Sequence, residues 1–98
     1  MRKITEQIAH AFKQGKRKSN GNTRTNGNMV FLHTNRIVER YESGAIYMSL
    51  AGWNTVTTRE RLNGIAEILE LKARFTQKNF EPYFNGELID AHDWIKVS

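Results

Sequence analysis

Apolar residues near the start of the chain fall on one helical face. Ile4, Ile8, Ala11 and Phe12 recur at spacings of three and four, the period of an amphipathic helix, which predicts a helix over residues 3–14. Gly15 is suited to end it, and Lys13 sits near the negative pole of its dipole. No apolar residue then occurs between Phe12 and Met29. This stretch reads as a flexible, basic segment over residues 13–28, a tether that leaves the helix free to dock, to swing or to pack on another subunit.

The middle of the chain reads as an antiparallel meander. Met29–His33 is a strand run, Thr34-Asn35 a two-residue turn, and Arg36–Tyr41 a second strand. Glu42-Ser43-Gly44 fits a three-residue hairpin loop with Gly44 left-handed, and Ala45–Leu50 is the third strand. This register sets Tyr41 opposite Ala45, Val38 opposite Met48 and Phe31 opposite Val38. One face then gathers Met29, Phe31, Val38, Ile46, Met48 and Leu50; the other gathers Val30, Leu32, Ile37, Tyr41 and Tyr47. The first strand has a candidate extension at Thr23–Asn26, with Gly27 as a bulge or bend.

A second helix follows. Thr57 and Glu60 have the spacing of a capping box, and Leu62, Ile65, Ala66 and Leu69 form its apolar stripe. Gly64 costs mid-helix stability, about 1 kcal/mol relative to alanine, and marks close packing against the sheet. This helix is expected to cover the Phe31/Val38/Met48 face. Lys72–Lys78 then alternates like a strand with one wet face, Pro82 interrupts, Asn85-Gly86 signals a type I′ hairpin, and Trp94–Val97 closes the chain as a strand. The fold class is therefore α+β: an N-terminal helix, a three-stranded antiparallel meander, one packed helix and short C-terminal strands. Ninety-eight residues hold one domain and a modest core.

Charge changes the picture more than composition does. Residues 1–38 hold eight basic residues and one acidic residue, Glu6, whereas residues 39–98 hold seven basic and nine acidic. Such asymmetry points to one positive surface meeting a polyanion. Lys13, Lys16, Arg17, Lys18, Arg24 and Arg36 are the candidate phosphate contacts. Steep salt dependence would follow from them. No zinc-finger, helix-turn-helix or RNA-binding-sheet signature occurs, so backbone or shape binding is expected rather than sequence readout. The chain has no cysteine, which excludes disulfides and thiolate metal sites and fits a cytoplasmic setting. No apolar run is long enough for a bilayer, and none resembles a secretory signal.

The strand-turn-strand Leu32-His33-Thr34-Asn35-Arg36-Ile37, and more strongly the segment Ala51-Gly52-Trp53-Asn54-Thr55-Val56-Thr57-Thr58-Arg59-Glu60-Arg61-Leu62-Asn63, resemble a group of small phage-encoded proteins of unassigned function. The first departs slightly, since glycine is common at the position of Thr34. The resemblance spans residues 29–63, omits the basic segment, and implies a viral or prophage origin and a host-cell setting. It transfers no catalytic residue.

Other chemistry is weakly signalled. Tyr41, Tyr47 and Trp53 would stack on the bases of a single strand if exposed, although an aromatic just before a helix start is more often a packed anchor. Arg59 and Arg61 flank Glu60 at the helix start and suit a phosphate; the plainer expectation is that Glu60 completes the cap and both arginines are solvated. His10, His33 and His92 share no element. Asp90, His92 and Asp93 read as a polar turn rather than a metal site. No nucleophile elbow, His-Glu-x-x-His motif or phosphate-cradling loop is present, so neither an enzyme nor a cofactor is implied. A rival to nucleic-acid binding is inhibition or modulation of a host protein, or pairing with a second copy of the chain, through an uncovered sheet face, with the basic arm gripping an acidic surface of a host target. Tyr41, Tyr47, Trp53, Arg59 and Arg61 are the candidate interface for that reading.

Overall fold

A computed structural model describes residues 1–98 and has the α+β class expected. Helix α1 spans Lys3–Lys13 and buries Thr5, Ile8, Ala9 and Phe12. The buried stripe is rotated from the expected one: small Thr5 and Ala9 go inward while Ile4 and Ala11 are half-buried. Small side chains let α1 approach the second helix, α2 (Val56–Ile68), closely. A methyl group on Gly64 of α2 would lie 2.5 Å from Thr5 Cγ2. Gly64 thus marks helix-helix contact, not the helix-sheet contact expected.

Six strands form the main antiparallel sheet, in the order β1-β2-β3-β4-β5-β9. They are β1 (Lys18–Asn20), β2 (Thr23–Thr25), β3 (Met29–Leu32), β4 (Asn35–Arg40), β5 (Ile46–Met48) and β9 (Ile95–Lys96). The expected meander is its centre. A separate three-stranded sheet comprises β6 (Phe75–Lys78), β7 (Glu81–Phe84) and β8 (Glu87–Leu88).

The expected basic tether is instead the β1-β2 hairpin at the sheet edge, and α1 packs against it and against α2 within its own domain. No hydrophobic alternation signals this hairpin because its inward positions are threonines. Thr23 and Thr25 are buried, and their hydroxyls are satisfied. Thr25 Oγ1 donates to Met29 O (2.7 Å) and accepts from Gly27 N–H (3.1 Å), while Thr23 Oγ1 accepts from Arg61 Nε (2.9 Å). Of the two alternatives at Gly27 the bend holds: Asn26–Asn28 is the hairpin turn between β2 and β3. Asn26 Oδ1 accepts from the Asn28 and Met29 amides.

The next turn also differs. His33-Thr34, with His33 at φ 56°, is the two-residue connection, so Leu32 pairs with Asn35 and Phe31 with Arg36. Val30 then pairs with Val38, and the register shift leaves Ile37 as the extra residue of a bulge. A bulge lets successive residues turn the same way, and Ile37 and Val38 are both buried. The core face therefore carries Val30, Leu32, Ile37, Val38, Ile46 and Met48, while Met29 and Phe31 move to the opposite face. Val38 pairs with Met48 as expected, Tyr41 N–H donates to Ala45 O, and Gly44 has φ 91°.

Helix α2 begins two residues earlier than the capping-box reading. Thr55 is the N-cap and accepts from Thr58 N–H at 3.1 Å. Leu62, Ile65 and Ala66 are buried as expected. Pro82 does not interrupt; it is the second residue of β7, opposite Gln77, where a missing amide is tolerated near a strand start. Asn85-Gly86 forms the expected turn with φ 49° and 86°. Asn79-Phe80 forms a second tight turn with φ 52° and 65°, which no glycine announced.

Candidate nucleic-acid interface

Both helices lie on the core side of the main sheet, and the other side is open. Pairing arranges its side chains in two rows. In the first, Ser19, Arg24, Phe31 and Arg36 face one another across β1 to β4. In the second, Met29, Glu39, Tyr47 and Lys96 do so across β3, β4, β5 and β9. Neighbouring strands are about 4.8 Å apart, so each row steps at that interval.

Contacts within the rows fix several of these groups. The Arg24 guanidinium lies 4.0 Å from the Phe31 ring centroid, a cation-π contact. Arg36 pairs with Glu39 at 3.0 Å. Tyr41 O–H donates to Glu39 Oε1 at 3.0 Å, and its ring is 5.2 Å from that of Tyr47. The hydrogen bond to Glu39 is the first cause of a Tyr41 hydroxyl pKa above the ordinary value. Glu39 is thus covered and its charge matched, so the one carboxylate in the rows is already engaged.

The sequence-predicted cations are arranged on an ordered surface, not on a mobile arm. Lys13 ends α1, Lys16 and Arg17 follow in the connection, Lys18 opens β1, and Arg24 and Arg36 project from the open face. All six are exposed, and no carboxylate lies within ion-pair distance of Lys13, Lys16, Arg17, Lys18 or Arg24. Lys13 also serves α1 by lying in its last turn.

The predicted interface residues are not brought together. Tyr41 and Tyr47 are on the open face. Trp53 is 57% exposed, contrary to a packed anchor, and lies in the segment before the α2 N-cap. Arg59 Nη1 donates to Asn54 Oδ1 (2.6 Å) and Gln77 Oε1 (3.1 Å), binding α2 to the small sheet. Arg61, expected to be solvated, is 2% exposed. Its guanidinium donates to Thr23 Oγ1, Thr5 Oγ1, Asn22 Oδ1 and Glu60 Oε1. A buried cation with four acceptors is a structural bolt and belongs to no surface site. The groove between α2 and β6 is lined by charges of both signs, Arg59, Glu60, Glu67 and Arg74, which gives an anion no net attraction.

Two charged residues that sequence reasoning missed close the ends of α1. Glu60 belongs to no cap of its own helix. It accepts from Arg2 N–H (3.2 Å) and Thr5 Oγ1 (2.5 Å), at the positive pole of α1. Burial alone would raise its pKa. Hydrogen bonds from Thr5, Arg2 and Arg61, with the charge of Arg61, outweigh that and hold it below the usual glutamate value. At the other end, Arg40 Nη2 donates to Phe12 O (2.5 Å) and Gly27 O (2.6 Å), and its guanidinium lies over the Phe12 ring. It adds a charged donor to a carbonyl in the helix's last turn, which also accepts from Gly15 N–H at 3.0 Å. Burial lowers the Arg40 pKa from its ordinary value. No local pattern signals either contact, because Arg40 and Glu60 lie 13 to 58 residues from these partners.

Asp90, His92 and Asp93 behave as the polar turn expected. Asp90 Oδ1 accepts from His92 N–H at 2.8 Å, which holds its carboxyl below the ordinary range, and Asp93 Oδ2 accepts from Asp90 N–H. The His92 ring lies against Gly52, where an added methyl would be 2.6 Å from Nε2.

No curated protein and no solved structure matches the chain. A family model described as the Kyanoviridae Gp96 protein matches residues 1–98, so the likeness to phage proteins extends over the basic segment as well as residues 29–63. With that match over its whole length, the chain belongs to the Kyanoviridae Gp96 family of phage proteins.

Proposed function

We propose that this phage protein is a non-enzymatic nucleic-acid-binding accessory factor that acts in the host cytoplasm and grips phosphates largely without regard to sequence. The observation that carries this reading is five exposed cations along the end of α1, the connection after it and the β1-β2 hairpin, Lys13, Lys16, Arg17, Lys18 and Arg24, none with a carboxylate partner. Arg36 extends the set, although Glu39 shares its charge. Unpaired cations on ordered backbone lose little freedom on meeting a phosphate chain, and each phosphate neutralised releases counterions.

Fluorescence anisotropy with a labelled random oligonucleotide, titrated across salt concentrations, tests it. If five phosphates are engaged, log affinity falls against log salt with a slope of about −3.5 for a single strand, and replacing Lys16, Arg17 and Lys18 by alanine flattens it by about 2. Undetectable binding at low salt would sink the proposal.

A second reading, modulation of a host protein, draws support from a different place. Trp53, Val56 and Phe80 are exposed apolar side chains around Asn54, and Phe80 is 90% exposed on a positive-φ turn. Nuclease-treated capture from host lysate separates the two. A partner retained after nuclease and lost with Trp53→Glu favours the second reading.

A further inference from the structure

The open face differs from a simple cationic strip in one respect: aromatic rings stand among its cations. Arg24, Phe31 and Arg36 succeed one another on adjacent strands. Two residues further along the strands, about 7 Å away, Met29, Glu39, Tyr47 and Lys96 do the same, with Tyr41 against Tyr47. We propose that this face binds a single-stranded nucleic acid, with bases laid on Tyr41, Tyr47 and the Arg24–Phe31 pair and phosphates held by Arg24, Arg36 and Lys96. This rests on the nucleic-acid reading and specifies its substrate class.

Three observations argue for a single strand over a duplex. Tyr41 is 52% exposed and Tyr47 is half-buried, so ring surface is available to a base, and at Phe31 the plane offered is the Arg24 guanidinium above its ring, whereas a duplex hides the faces of its bases. No helix stands on this side to enter a groove, since α1 and α2 pack on the other. The groups are also held in advance. Glu39 accepts from Tyr41 and pairs with Arg36, and Phe31 supports the Arg24 guanidinium, a planar group on which bases themselves stack. The charge balance suits a polyanion: Arg24 and Lys96 have no acidic partner, Glu39 is matched by Arg36, and Glu42 lies beyond Tyr41 in the adjoining turn. A four-stranded span of this kind accommodates two or three bases.

The experiment compares the intact protein's affinity for a single-stranded oligonucleotide, the corresponding duplex and linear inorganic polyphosphate, which carries charge without bases. The single strand is expected to bind at least tenfold more tightly than either. Tyr47→Ala is expected to cost about tenfold in single-strand affinity, about 1.4 kcal/mol, while leaving polyphosphate affinity and the salt slope unchanged. Tyr41→Ala removes an exposed ring with little packing of its own and is expected to cost about fivefold; thermal melting of both variants verifies the fold. Replacing Lys16, Arg17 and Lys18 by alanine should show the opposite pattern, weakening all three ligands and flattening the salt slope. Equal binding of all three ligands by the wild type, or single-strand affinity unchanged in a folded Tyr41→Ala variant, overturns the inference and leaves the polyanion reading standing. Binding of none of the three removes both.

Discussion

Arg61 is the residue whose role the structure changes most, and its replacement has a calculable consequence. Arg61→Ala removes a guanidinium that is 2% exposed and donates to two threonine hydroxyls, an asparagine carbonyl and the Glu60 carboxylate. Breaking a buried ion pair by deleting one partner costs roughly 3–5 kcal/mol, because the remaining charge is left without compensation. The Glu60 side chain keeps 22% exposure and two other donors, Thr5 and the Arg2 amide, which moves the expectation to the lower end, about 3 kcal/mol. For a domain of this size that lowers Tm by about 12 °C or more. The assay is urea and thermal unfolding followed by circular dichroism, with Glu60→Gln and the double variant completing a cycle. A coupling above about 1 kcal/mol is expected for groups in direct contact. Arg61→Lys, which keeps the charge but not the planar fork, should fall between wild type and alanine. A loss below about 1 kcal/mol, the level of an exposed pair, would refute the argument and return Arg61 to the surface role its sequence context suggests.

Glu60→Gln has a pH signature. The folded carboxyl is held below its unfolded value, so its stabilisation is fully present above the ordinary glutamate pKa of about 4.3 and disappears as pH falls through the folded value. Urea midpoints of wild type and variant should differ at pH 6, and the gap should narrow steadily as pH falls below the ordinary glutamate pKa of about 4.3; a constant gap would contradict the linkage. Gly64→Ala should destabilise by about 1 kcal/mol even though alanine is the better helix former, because its methyl would meet Thr5 and Met1. A rise in urea midpoint would show that α1 and α2 are not in close contact. Phe80→Gly should stabilise by about 0.5–1 kcal/mol, since a left-handed φ is costly for phenylalanine and its exposed ring gives up no burial. A lower Tm for this variant would show that the ring packs.

Local pattern determined a good deal here. The 3.6-residue stripes located both helices, the alternating runs located β3, β4, β5 and β6, and Asn85-Gly86 specified its turn, because each signal needs only near neighbours. The α+β class and the uneven charge were equally local properties. Only Thr23–Asn26 was anticipated, as an extension of the next strand; β1 and the hairpin pairing escaped this reading because the inward residues are Thr23 and Thr25, whose burial depends on hydrogen bonds to Met29, Gly27 and the distant Arg61. The register of β3 on β4 escaped it too. A one-residue difference in the turn, followed by a bulge at Ile37, exchanges which side chains face the core.

The candidate site divides in the same way. That Lys16, Arg17, Lys18 and Arg24 would be exposed was legible, since a cluster of cations without nearby acids stays in water. That Arg24 shares a face with Phe31 and Arg36, that Arg61 is buried, and that Glu60 and Arg40 close the two ends of α1 depended on pairings between residues 5 to 58 positions apart. Amino-acid order alone determines where a chain will coil or extend and how its charge is distributed. Which side of a strand meets solvent, and which ion meets which helix end, is decided only when distant segments compete for the same buried space and must satisfy one another's polar groups.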